Sequence, residues 1–231
     1  MDYNTTLEMD RATLIERSFI NTTYGWMSAG LALTGLVSTY IASSQTALAF
    51  LLANSWIIWV CFIAEFVIAL TISNKHISGN ASMIIFLLFS TLMGLSLAPI
   101  FLIYTKATIA KAFFSTAGMF GAMAIYGHTT KKDLTSVGSY AIMALWGIII
   151  ASIVNIFLRS PAADFIISII GVVVFLALTA FDAQKIKQIA YSNMEATESQ
   201  ILKLAILAAL ALYLDFINLF LFLLRIFGRR D

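Results

Sequence analysis

LAILAALALYLDFINLFLFLLRIF, residues 204–227, decides how the rest of the chain is read. A helix of this length rises about 36 Å, enough to cross the hydrocarbon core of a bilayer. Asp215 stands near its middle, and Asn218 follows one turn later. A carboxylate at that depth is costly unless it is paired, hydrated or protonated. The segment therefore predicts a membrane-spanning helix and, on it, a functional site.

The same apolar character recurs along the whole chain. Of 231 residues, 61% are hydrophobic and 11% charged, where a soluble domain carries about a quarter charged residues. Two prolines leave room for mostly unbroken helices, and no run shows the short alternation of a β-barrel strand. Apolar runs at 23–43, 48–73, 79–104, 107–127, 135–158, 163–187 and 203–227 each reach the ~20 residues that a spanning helix needs. The expected fold is all-α: a polytopic membrane protein, a bundle of seven transmembrane helices over 23–228. Most breaks are short, which favours antiparallel neighbours; only Gln188 to Gln200 is a longer loop. Pro99 is expected to kink the third run. Gly30 and Gly35, and Ala117 with Gly118 and Gly121, are small enough to let helix backbones approach, but ordinary packing is the plainer reading of their spacing and the one favoured here.

Residues 1–22 form a polar tail. Leu14, Ile15, Ser18 and Phe19 fall at helical spacing and predict a surface helix from about Thr13. MDYNTTLEMD has no basic residue before Arg11, unlike a secretory n-region, so the first span is expected to stay in the mature protein. With an odd number of spans, eight Lys and Arg fall on the N-terminal side and six on the other. That bias places the N-terminus in the cytoplasm and the C-terminus outside. A net charge of +2 makes no case for nucleic acid; the partner implied is the lipid bilayer. Cys61, the only cysteine, excludes an intrachain disulfide and reads as a small buried filler.

Three carboxylates fall inside apolar runs: Glu65, Asp182 and Asp215. Counted from Ser73, Lys187 and Leu204, they lie roughly 12, 7 and 16 Å below the cytoplasmic face, all in or near that half. No Lys or Arg sits as deep, although Lys75 could snorkel inward and Lys185 is one turn from Asp182. Such acids take up protons or coordinate a cation through oxygen, calcium included. Two aspartates sharing one proton would titrate as a pair. Each acid also has a plainer reading. Asp182 could mark the membrane boundary, Glu65 could bond to a neighbouring helix, and Asp215 is the hardest to explain that way. There is no HExxH, Cys/His cluster or phosphate-cradling glycine loop. His76 and His128 fall at span ends, and the last span has no mid-helix lysine for retinal. Neither an enzyme nor a cofactor is expected.

Two stretches carry a resemblance. LTAFDAQKIK (178–187) and LALYLDFINLFLFLLRIFG (210–228) resemble the Bax inhibitor-1 family of seven-helix membrane proteins, and AGMFGAMAIYGHTTKKDL (117–134) and TTYGWMSAGL (22–31) look like its bacterial inner-membrane branch. The resemblance implies a bundle with the last helix central. It also implies a pH-sensitive latch formed by an aspartate on each of the last two helices, which falls on Asp182 and Asp215. The activity implied is a passive, pH-dependent calcium leak across a bacterial inner membrane. Glu65, Lys75 and Asn218 are then candidates for the ion path or for latch partners. Some relatives modulate a membrane-bound protease instead, for which the tail at 1–22 offers a grip. Where relatives carry an arginine that clamps the first aspartate, this chain reads Ile72-Ser73-Asn74-Lys75-His76, and a lysine lacks the bidentate fork.

Overall fold

A computed structural model describes residues 3–74, 77–193 and 196–228, with side chains from Leu14 onward. Every regular element among the described residues is a helix: α1 (Tyr3–Ser43), α2 (Gln45–Ala53), α3 (Trp56–Ile72), α4 (Gly79–Leu97), α5 (Ile100–Ile103), α6 (Lys106–Thr129), α7 (Thr135–Leu158), α8 (Pro161–Ser192) and α9 (Glu198–Phe227). Five of the helical segments are long and apolar enough to cross a membrane, or six if a bent pair counts as one span. Their outward faces are apolar: Ile142, Met143, Trp146, Ile150 and Phe157 of α7 are all exposed. Faces of that kind are stable only against lipid, and helices satisfy their own backbone there. The chain is an all-α polytopic membrane protein. α9 is the most buried of the long helices, with 72% of its apolar window inside, and α7 the least, with 11%.

The helices differ from the apolar runs in three places. α1 begins at Tyr3, so the tail helix starts ten residues before the expected Thr13 and continues unbroken into the first span. The run at 48–73 is not one helix. Ser44 caps α2, its hydroxyl accepting from the Ala47 amide, and α2 turns 92° away from α1. Asn54 then stops α2: its side-chain amide and its backbone N–H both donate to Phe50 O. A polar side chain that bonds the preceding turn competes with the helix. What remains, α3, has 17 residues and rises only about 25 Å. In the third run, α4 ends at Leu97 and α5 starts after Pro99, because proline has no N–H to give to the turn before it. That break was expected.

The chain divides into two compact units. The first contains Met1–Ile103 and Gln188–Tyr213. Here α1 lies tight on α4: a Cβ on Gly30 would stand 2.6 Å from the Phe86 ring, and one on Gly94 would stand 2.8 Å from Thr34 O. Tyr213 of α9 is fully buried between Phe86 and Phe89, edge to face, with ring centroids 5.8 Å from each. Its hydroxyl bonds Thr34 Oγ1 at 2.7 Å, and Thr34 in turn donates to Ser90 O at 2.8 Å. Each aromatic pair contributes about 0.5–1.5 kcal/mol beyond burial, and the hydroxyl chain gives both Tyr213 and Thr34 a partner.

The second unit contains Tyr104–Lys187 and Leu214–Asp231. Gly127 of α6 meets the backbone and side chains of Ala180 and Ala183 on α8, Gly138 of α7 lies under the Phe181 ring, and Gly171 of α8 lies under Phe222. By contrast, Gly35, Gly118 and Gly121 have nothing within 4 Å of an added Cβ. Ordinary packing is therefore the right reading at Gly35, Gly118 and Gly121, and the close approaches are made by other glycines. Only Gly30 of that set marks a true contact.

Candidate functional site

Asp215 lies on α9, seventeen residues past Glu198 and twelve before Phe227, so it stands near the middle of the helix. Its position follows from helical phase. Leu212, Asp215 and Leu219 recur at three- and four-residue spacing, and all three are buried. The next residue, Phe216, packs edge to face on Phe113 and Phe120 of α6, at 5.7 and 5.5 Å, which fixes the rotation of this part of α9. Asp215 is 5% exposed. Its Oδ2 is buried and has no hydrogen-bond partner among the described residues. Leaving a buried carboxylate oxygen unsatisfied costs more than 1 kcal/mol, roughly, and more for a charged group.

Asp182 belongs to the same unit. It is half-buried on α8 and near enough that its charge acts on Asp215, while the Lys185 ammonium acts on Asp182. α8 runs on to Ser192, ten residues beyond Asp182, or about 15 Å. Gln184, Lys185, Lys187 and Gln188 follow Asp182 on the same helix.

The other candidates fall out differently. Glu65 is buried in the first unit and accepts a hydrogen bond from Ser96 Oγ at 2.8 Å. Cys61, one turn earlier on α3, lies against the same hydroxyl. Ser96 is seventeen residues along α4 from Gly79 and seven short of Ile103, so Glu65 stands far from the Gly79 end. Its plainer reading, a hydrogen bond to a neighbouring helix, holds. Asn218 uses its amide nitrogen locally, donating to Leu214 O at 2.8 Å. Lys75 lies outside the described residues. Among the described residues no three His, Cys, Asp or Glu side chains gather to hold a metal ion. Calcium prefers six to eight oxygens, so two aspartates could be only part of a transient shell completed by water.

Sequence reasoning missed Ser96, Thr34 and Tyr213. Each is a hydroxyl inside an apolar run, and its one signal is that a polar side chain in lipid must find a partner.

A family profile described as "Inhibitor of apoptosis-promoting Bax1" matches residues 16–231. The inner membrane protein YbhL of Escherichia coli is 44% identical over 216 residues, covering 93% of this chain and 92% of its own. A protein of Borreliella burgdorferi is 44% identical over 94% of each chain, and one of Rickettsia prowazekii is 40% identical over 93% of this chain and 90% of its own.

Proposed function

Because this chain belongs to the Bax inhibitor-1 family, we propose that it is a passive, pH-sensitive cation leak, with Asp182 and Asp215 as its gate. The observation that carries this reading is Asp215 itself: buried, one oxygen without a hydrogen-bond partner among the described residues, and within electrostatic reach of a second carboxylate. Two acids so placed are stable when they share a proton and repel when both are charged. The packing of α8 against α9 then depends on proton activity. Oxygen donors suit calcium, the expected cargo, without excluding other cations. Glu65, already held by Ser96, is no part of this latch. The protein works by opening a path rather than by catalysing a reaction. The inner membrane is its proposed location, as the name of the E. coli relative states for that protein.

Calcium flux into proteoliposomes at a series of pH values is the test. The wild-type rate should change with pH, and Asp182→Asn with Asp215→Asn should flatten that dependence while the protein stays folded. An unaltered pH profile in the double variant would refute the latch. A wild-type protein that conducts nothing would refute the leak and leave a non-conducting interaction protein, such as a modulator of a membrane-bound protease.

A further inference from the structure

We propose that Gln184 is a positioning residue for the gate: by tying the α6–α7 loop to α8 it sets the turn of α8 that carries Asp182. The inference rests on the reading of Asp182 and Asp215 as the gate. The tie is a single side chain within the second unit. Gln184 Nε2 donates to Lys132 O and Gln184 Oε1 accepts from the Leu134 amide, each at 2.8 Å. A carboxamide carries a donor and an acceptor side by side, and residues 132 and 134 of the loop offer the matching pair. Leu134 is buried at the N-cap of α7, where a helix leaves its own amides without partners. Gln184 supplies that partner from another helix, 50 residues away.

Packing holds the same turn from two more sides. A Cβ on Gly127 of α6 would strike the backbone of Ala180 and stand 2.9 Å from Ala183 Cβ, and one on Gly138 of α7 would stand 2.5 Å from the Phe181 ring. Ala180, Phe181, Ala183 and Gln184 are thus all engaged by α6, by α7 or by the loop between them. At 3.6 residues per turn, Ala180, Ala183 and Gln184 share one face of α8, and Asp182 lies on the opposite one. Contacts that fix the first face therefore fix the direction in which Asp182 leaves the helix. With the tie cut, the turn can rotate and Asp182 shifts relative to Asp215 of α9, on which its charge acts. Lys185 and Lys187 follow Asp182 on α8, and His128 lies in the last turn of α6. Lys131, Lys132 and Asp133 lie in the loop, and α7 has no charged residue. Gln184 is neutral, so another neutral side chain in its place leaves all these charges where they are in the sequence.

Calcium flux into proteoliposomes against pH, with the full chain, reads the consequence. Gln184→Met keeps the length of the side chain, loses both bonds and should shift the pH midpoint of the leak by about half a unit or more. Gln184→Ala should shift it equally, because the bonds and not the bulk set the turn. Thr34→Val, a destabilising change in the first unit, should lower the flux and leave the midpoint in place, which separates positioning from stability. A wild type whose flux ignores pH would remove the gate and the role of Gln184 with it. A pH-dependent wild type whose midpoint survives in Gln184→Met would overturn the role of Gln184 alone. The tie has its own measure in spin-label distances between Lys131→Cys in the loop and Val173→Cys, exposed on α8, in a Cys61→Ala background. These should be narrowly distributed with Gln184 present and broad in Gln184→Met. A broad distribution with Gln184 present would also overturn the inference.

Discussion

Thr34 shows how much one hydroxyl can carry in a membrane protein. It accepts from Tyr213 and donates to Ser90 O, joining three helices through a group that could otherwise bond only within its own. Thr34→Val keeps the shape and strands the buried Tyr213 hydroxyl, which should cost about 1–3 kcal/mol; Tyr213→Phe removes the other partner and should cost less, about 0.5–1.5 kcal/mol. Thermal melting in detergent of the two variants checks the order. Asp133 supplies a pH-dependent contribution outside the spans. Hydrogen bonds from the Thr135 hydroxyl, and then from its amide, hold its carboxyl below the ordinary value. The sign follows: a group depressed in the folded state stabilises fully above its unfolded pKa, about 3.9, and the contribution is lost as pH falls through the folded value. The melting difference between wild type and Asp133→Ala should therefore be present near neutral pH and vanish in acid. A difference that persists in acid would mean that the carboxylate is not the cap.

At the scale of elements, glycines separate contacts from open surface. Gly127 has the backbone of Ala180 where a Cβ would go, whereas Gly121, six residues earlier on the same helix, faces nothing. Gly127→Ala must push α6 from α8 and should destabilise by about 1–3 kcal/mol. Gly121→Ala should be neutral or gain up to about 1 kcal/mol from helix propensity. Equal melting temperatures for the pair would show that α6 and α8 do not meet as described. The contrast also explains why small-residue spacing at Ala117–Gly121 is ordinary packing and no more. Spacing reports what a helix permits, and a partner must be there to use it. Asn54 gives the converse lesson. One polar residue in 48–73 ends α2 because its side chain bonds Phe50 O, a local competition that an average over the run conceals.

At the scale of the whole molecule, the number of crossings turns on α3. With 17 residues it rises about 25 Å, less than the ~30 Å hydrocarbon core, and α2 is bent away from α1 by 92°. If α3 crosses, helped by thinning of the bilayer or tilt of its neighbours, the chain has seven crossings and its termini lie on opposite sides. The lysine and arginine bias then leaves the N-terminus in the cytoplasm and the C-terminus outside. A C-terminal alkaline phosphatase fusion should be active, and a C-terminal green fluorescent protein fusion dark. The reverse result would mean that α3 turns back within the membrane and that both termini share one side.

The sequence by itself determined the class of this protein, the extent of α7 and the place of Asp215 in the middle of an apolar helix. Length, hydropathy and helical phase are properties of consecutive residues, and a helix in lipid satisfies its backbone within that same stretch. It also carried the family through motifs on the last two helices. Only the tertiary structure decided that Glu65 belongs to Ser96, that Tyr213 reaches Thr34, that Gln184 braces the lysine loop and that Gly127 rather than Gly121 meets a neighbour. Each of these joins residues on different helices, with Thr34 and Tyr213 separated by 179 positions. Whether two such groups touch depends on the rotation and level of both helices at once, and those are set by packing rather than by either stretch alone.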